Sequence, residues 1–141
     1  WERAFGEMTT REYWLVIGEG WCGDAAQIIP VMLTIARASN EHISLRLLWR
    51  DENPELMDQY LTSGTRSIPK LIRISRPQLE VMGTWGPRPV AVKNEMLRWK
   101  SEGISGDKLK ELLHAWYAKD KSQQIQQELL GMIREPAPQE L

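Results

Sequence analysis

Cysteine is almost absent from this sequence of 141 residues, which contains only Cys22. A single cysteine excludes a framework of internal disulfides, and it favours a reducing compartment such as the cytoplasm. The sequence begins at Trp1 and not at methionine, which leaves open a leader that was removed. We therefore expect a cytoplasmic protein whose fold depends on its core and not on covalent cross-links.

The sequence also lacks an excess of charge, a long apolar run and a cluster of metal ligands. Its 18 basic and 19 acidic residues give a net charge of −1, which argues against nucleic-acid and membrane partners. No apolar run approaches the roughly 20 residues that cross a bilayer. The two histidines, His42 and His114, lie far apart without a partner at ligand spacing, so we expect no metal site.

The composition is that of an ordinary globular protein. Hydrophobic residues make up 42% and charged residues 26%, and a chain of this length buries roughly two thirds of its unfolded surface. We expect a core domain over residues 1–102 and a C-terminal helical extension over 103–135 that packs on it. We expect the tail, residues 136–141, to be frayed.

Hydrophobic periodicity predicts strands that alternate with helices. The run Tyr13–Ile17 suits a central strand buried on both faces, and Asn53 and Ser105 are predicted helix caps. The predicted elements are a helix within 1–12, strands over 13–17, 43–49, 70–75 and 79–85, and helices over 24–39 (kinked at Pro30), 54–64, 90–101 and from 105 onward. This order, a βαβ unit followed by a hairpin, predicts an α/β sandwich.

The C-terminal region carries an apolar stripe over 109–133 with a polar interruption at 119–124. Such a stripe packs on the domain or forms a surface for a homodimer or another partner. The segment 116–121 sets aromatic residues beside alternating charges, a pattern compatible with a helix end or with a recognition patch.

Cys22 stands where a strand, a glycine-containing turn and a helix follow one another. The free backbone N–H groups and the positive dipole end of a helix favour the thiolate form of a cysteine placed there. Asp24 acts in one of two ways, because its carboxylate either repels the thiolate or caps the helix. A buried, inert cysteine is the alternative reading of Cys22.

Together with the isoleucine–proline step at 68–69, this segment resembles the active site of the thioredoxin family. Trp21, Cys22 and Gly23 match the family's tryptophan, nucleophilic cysteine and glycine, and Pro69 matches a proline that is normally cis. The resemblance covers roughly residues 11–102 and includes Pro30, Asp51–Pro54 and Gly86. It implies a thioredoxin-like three-layer α/β/α sandwich with a mixed central sheet, to which the C-terminal helices are added.

Three family residues are replaced in this sequence. Ala25 stands at the position of the second, resolving cysteine, Val16 at that of the buried acid, and Leu47 at that of its basic partner. These replacements argue against ordinary dithiol turnover. Within the family, the sequence is similar to a bacterial branch with a Trp-Cys-Gly-Asp motif.

The resemblance also implies how the site would bind a partner. The Ile68 backbone would pair with an extended peptide, and Arg66 would reach an anion such as the thiolate or a glutathione carboxylate. The candidate site consists of the nucleophile Cys22 and the substrate-binding residues Trp21, Gly23, Asp24, Arg66, Ser67, Ile68 and Pro69.

Two functions fit these residues. In the first, Cys22 forms a mixed disulfide with a protein or a small thiol, and glutathione or another thiol resolves it without a bound cofactor. In the second, the chain is a redox-inactive thioredoxin-fold module that binds a peptide or protein partner. Thiol-dependent conjugation of small molecules shares the fold class, but the sequence carries no substrate signal for it.

Overall fold

The computed structural model describes residues 1–134, so the predicted frayed tail at 136–141 lies outside the described residues. Helices and strands alternate as far as the third strand; the fourth strand follows it directly, and three consecutive helices end the described residues. A single 3₁₀ turn follows the second strand. The elements are α1 (Glu2–Glu7), β1 (Arg11–Gly18), α2 (Gly23–Ala38), β2 (Ile43–Trp49), α3 (Pro54–Asp58), β3 (Lys70–Arg76), β4 (Val81–Trp85), α4 (Val90–Ser101), α5 (Gly106–Asp120) and α6 (Gln123–Arg134).

The strands form one mixed sheet in the order β2-β1-β3-β4. Strand β1 runs parallel to β2 and antiparallel to β3, and β3 runs antiparallel to β4. In the β1–β3 register, Ile17 lies opposite Lys70. The end of β1 and the beginning of β3 therefore meet at one edge of the sheet, which brings the turn before Cys22 close to Pro69.

The two faces of β1 bury different residues, as a strand at the centre of a sheet requires. Trp14 and Val16 belong to the larger cluster, which also contains buried residues of α1, α2 and α4–α6. Ile17, on the opposite face, belongs to a smaller cluster with Met57 of α3 and with Ile68. The predicted three-layer α/β sandwich with a mixed sheet is confirmed.

Several predicted element ends differ from the structure. Helix α1 lies within the predicted range 1–12, but α3 ends at Asp58 and not at 64, and β4 begins only at Val81. The chain between β3 and β4 contains the cis bond Arg76–Pro77, and Leu79 has a positive φ of 60°, so these residues form a turn. Asn53 and Ser105 stand at N-cap positions, but neither side chain makes the predicted capping hydrogen bond.

The C-terminal helices bury their apolar stripe in the larger cluster. Ile125, Leu129 and Ile133 of α6 are buried there, as is Tyr117 of α5. Helix α5 ends at Asp120, and Lys121 follows in the left-handed conformation, so the helix-end interpretation of segment 116–121 is confirmed. Within residues 1–134, no helix combines the length and the hydrophobicity that a membrane span needs.

A buried ion pair ties the sheet to α6. The Arg73 guanidinium donates to both oxygens of the Glu12 carboxylate at 2.7 and 3.0 Å. The Trp14 indole N–H also donates to Glu12, at 3.2 Å, and a further Arg73 N–H donates to the Met132 carbonyl at 3.0 Å. Both charges are therefore satisfied away from water, as buried charges require.

Candidate functional site

Cys22 is itself the N-cap residue of α2. Its backbone is extended, and its sulfur accepts a hydrogen bond from the Ala25 N–H at 3.5 Å. A donor of the first helical turn, which has no partner inside the helix, thus points at the sulfur and favours negative charge there. The residue is half-buried, so Cys22 is not a fully buried core cysteine.

The segment before β3 faces the sulfur from the other side. Cys22 Sγ donates to the Ile68 carbonyl at 3.7 Å, across 46 positions of the sequence. The peptide bond between Ile68 and Pro69 is cis. Gly86 packs against this segment with a φ of 121°, and a Cβ atom there would lie 2.3 Å from the Pro69 carbonyl oxygen. Only glycine fits at that position without displacing the proline segment.

An open groove of about 530 Å³ borders Cys22. Every predicted site residue except Pro69 lines this groove, and Pro69 adjoins it through its bond to Ile68. The groove is lined by Trp21, Cys22, Gly23, Asp24, Arg50, Arg66, Ser67, Ile68, Pro87, Arg88, Lys110, Leu113 and His114.

The structure gives Asp24 a role that the sequence did not predict. Of the two alternatives for Asp24, the helix cap is wrong, because Cys22 occupies that position and the Asp24 carboxylate has other partners. Arg88 donates to its two oxygens at 3.0 and 2.9 Å, and the Tyr117 hydroxyl donates to Oδ1 at 2.7 Å. Since the Arg88 charge balances that of Asp24, the expected repulsion of a thiolate at Cys22 is offset.

This cluster of Asp24, Arg88 and Tyr117 keeps its donors protonated. Burial raises the pKa of Tyr117, and the Asp24 charge raises it further, so the phenol retains its proton. Burial lowers the pKa of Arg88, but the hydrogen bonds and the charge of Asp24 outweigh it and raise that pKa overall. The carboxylate of Asp24 is therefore held by a hydroxyl and a guanidinium.

Arg66, expected to reach the thiolate or a carboxylate, is held by Asp58 through hydrogen bonds of 2.7 and 2.9 Å. Another arginine, Arg50, lies over the Trp21 ring at 5.0 Å from its centroid and donates to the Arg66 carbonyl. Trp21 itself is 67% exposed. These side chains therefore line one part of the groove, where the two guanidinium groups have partners other than Cys22.

One face of α5 forms the opposite wall, which the sequence analysis missed. Lys110, His114 and Tyr117 are spaced as neighbours on a helix face, and the first two line the groove. A Cβ atom on Gly23 would lie 3.6 Å from the His114 ring, so the helix packs closely on the first turn of α2. The spacing of these three residues indicates a shared helix face, but the same helix also carries the apolar stripe, which was the stronger pattern in the sequence.

The three replaced family positions carry apolar side chains here, of which those of Val16 and Ala25 are buried and that of Leu47 is 40% exposed. Val16, at the position of the family's buried acid, is fully buried, and in the β1–β2 register it lies opposite Leu47, the other replaced residue. Ala25 is also buried. Within residues 1–134, no three histidine, cysteine or acidic side chains are grouped to hold a metal ion.

We expect Tyr117→Phe to destabilise the fold by about 1–2 kcal/mol at neutral pH, because a buried carboxylate loses a hydrogen-bond donor. Since burial raises the pKa of Tyr117 above the unfolded value, its contribution is complete below about pH 10 and is lost as the pH rises further. Urea unfolding at pH 7 and above pH 10 measures both effects. Tyr60→Phe, in the smaller cluster, is the control, and equal losses in the two variants would contradict the assigned role.

Comparisons with known proteins agree with this architecture. A family model described as thioredoxin matches residues 3–128. A Pseudomonas aeruginosa protein of unknown function is 23% identical, with a TM-score of 0.66 over 94% of this chain and 70% of the other. An HIV epitope scaffold is 19% identical, with a TM-score of 0.69 over 96% and 73%. The thioredoxin of Fasciola hepatica is 18% identical over 69% and 88%, with a TM-score of 0.47. No curated protein matches the sequence.

Proposed function

The chain belongs to the thioredoxin family, and we propose that it is a one-cysteine thiol–disulfide exchange protein. One observation carries this proposal: the Cys22 sulfur caps α2 and opens on a groove, 3.7 Å from the Ile68 carbonyl. A half-buried thiol at a helix N-terminus has the environment in which reactive cysteines are found. The Trp-Cys-Gly-Asp segment supports assignment to a bacterial branch of the family, and the single cysteine supports a reducing compartment.

The proposed reaction has two exchange steps. The Cys22 thiolate attacks one sulfur of a substrate disulfide, forms a mixed disulfide, and releases the other sulfur as a thiolate. A second thiolate from solution then attacks the substrate sulfur of that mixed disulfide. Cys22 leaves as a thiolate, and the attacking thiol and the substrate are joined by a new disulfide. Overall, one disulfide is consumed and one is formed, the incoming thiol replaces the thiolate released in the first step, and the protein is unchanged.

The resolving thiol must come from outside the chain. Ala25 occupies the position of the family's second cysteine, and its methyl group is buried beside Gly18. Cys22 is the one cysteine of the sequence, so no internal disulfide ends the first step. We propose a low-molecular-weight thiol such as glutathione as the resolving partner, with no bound cofactor.

Steady-state kinetics test this cycle. We expect catalysis of the reduction of a mixed disulfide by a small thiol, with ping-pong kinetics, because a covalent intermediate separates the two substrates. Cys22→Ser removes the nucleophile, so its rate should fall to that of the uncatalysed reaction. Turnover that persists in Cys22→Ser, or sequential kinetics that require both substrates at once, would contradict the proposal.

A binding module without turnover is the second candidate. It is favoured by the exposed indole of Trp21, which lines the same groove as Ile68, and by the apolar pair Val16–Leu47, at positions where the family has ionisable residues. On this reading, Cys22→Ser captures its peptide partner with unchanged affinity, and the native chain shows no turnover. Loss of capture in Cys22→Ser would support the exchange reaction instead.

A further inference from the structure

Positive charge lines the Cys22 groove more than the composition of the chain would suggest. The sequence has almost equal numbers of basic and acidic residues, 18 and 19. In contrast, the groove is lined by Arg50, Arg66, Arg88 and Lys110, and Asp24 is the one acidic residue among its lining residues. These cations come from four separate parts of the fold, so their convergence is a property of the folded chain.

The arginines of the groove are matched by nearby carboxylates. Arg88 pairs with Asp24, Arg66 with Asp58, and Arg50 with Asp51. Lys110 forms no ion pair with any residue of the described part of the chain, although Lys108 on the same helix approaches Glu111 at 3.8 Å. The unmatched positive charge of the groove is therefore the Lys110 ammonium.

Lys110 lies where its positive charge can act on a disulfide that reaches Cys22. Lys110 and His114 lie on the face of α5 that lines the groove, while Ile68 and Ser67 line it from the β3 side. The attacked sulfur must come within about 3.5 Å of Sγ, which brings its substituents into the groove that Lys110 lines. A volume of about 530 Å³ lies within the usual range for small-molecule sites.

We propose that the groove selects low-molecular-weight disulfides that carry carboxylates, and that Lys110 is the residue that determines this selection. The inference rests on the proposed exchange function and deepens it by naming the substrate class. A lysine acts here as an unpaired point charge that attracts a carboxylate without requiring a fixed bidentate geometry. The carboxylates take no part in forming or breaking bonds, so the two exchange steps are the same as those given above.

Two chromogenic disulfides of different charge test the selection. Dithiobis(nitrobenzoate) carries two carboxylates, and dithiodipyridine is neutral. Their rate constants with Cys22 are each divided by the rate constant with a small neutral thiol, which removes the difference in intrinsic reactivity. Measurements at low and high salt then show how much of the rate difference between the two disulfides is electrostatic, because salt screens exposed charges.

Lys110→Glu and Lys108→Glu form a matched pair, since both make the same charge change on one helix. We expect the native chain to favour the anionic probe at low salt, and Lys110→Glu to lower the anionic-to-neutral ratio about fivefold. Lys108→Glu, which lies outside the groove lining, should change the ratio less than about twofold by the same estimate.

Equal ratios in the native chain and both variants, with normal reaction of the neutral probe, would overturn the charge selection and leave the exchange function standing. No reaction of folded Cys22 with either probe, when the unfolded chain reacts with both, would overturn both proposals. Slow reaction of a carboxylate-bearing small disulfide combined with fast capture of a neutral peptide disulfide would also overturn the selection of small anionic substrates.

Discussion

Ala25→Cys is expected to shorten the lifetime of a mixed disulfide at Cys22 on the order of 100-fold at millimolar external thiol. The new thiol would lie on the first turn of α2, where the Ala25 N–H already donates to the Cys22 sulfur at 3.5 Å. Helix positions three apart have Cβ atoms about 5–6 Å apart, close to the roughly 4 Å of a disulfide. An internal attack would therefore replace the slow external one, and the oxidised variant would lose two hydrogen atoms in mass.

Gln27→Cys is the matched control for Ala25→Cys. It adds the same thiol to the same helix at an exposed position that is not on the Cys22 side. We expect the mixed disulfide of this variant to live as long as that of the native chain. Rapid-quench mass spectrometry measures both lifetimes, and equal lifetimes in all three chains would contradict the argument that the missing thiol is what prevents internal release.

Arg73→Met is expected to destabilise the fold by about 3–5 kcal/mol, because it leaves the buried Glu12 carboxylate without its ionic partner. It also removes the hydrogen bond that joins β3 to the Met132 carbonyl of α6. For a domain of this size, a loss of that magnitude lowers the melting temperature by roughly 10 °C or more. Thermal and urea unfolding measure the change.

The double variant Glu12→Leu with Arg73→Met shows whether the loss comes from the unpaired charge. Removing both charges restores an apolar contact, so we expect at least half of the stability to return, with about 1 kcal/mol still lost at the Trp14 indole. Arg98→Met, in an exposed pair on α4, should leave the melting temperature almost unchanged. A double variant as unstable as Arg73→Met would contradict the charge explanation.

Much of the fold could be predicted from the sequence because the relevant signals are local. The apolar run that contains Trp14 and Val16 marks the central strand, and the segment containing Ile68 and Pro69 directly precedes the strand that pairs with it. The ion pair between Glu12 and Arg73 could not be predicted from such local signals. They lie 61 positions apart, and their contact depends on the antiparallel register of β1 and β3, which the sequence does not state.

The candidate site also has a part that the sequence predicts and a part that it does not. The segment around Cys22 and the segment around Ile68 were predicted to meet, and the structure brings them together. Arg88 and Tyr117 were missed, because their role depends on how a distant loop and α5 pack against the first turn of α2. For the same reason, neither of the two roles considered for Asp24, helix cap or repulsion of a thiolate, included its place at the centre of a buried polar cluster.

The central claim is that the lone sulfur of the folded chain undergoes reversible exchange. Intact-mass spectrometry during exposure to a small disulfide, followed by a small thiol, measures this directly. We predict one adduct per chain, located at Cys22, that forms within minutes and is removed when the thiol is added. A folded chain that keeps its original mass for hours, under conditions in which the urea-unfolded chain is fully modified, would contradict the claim.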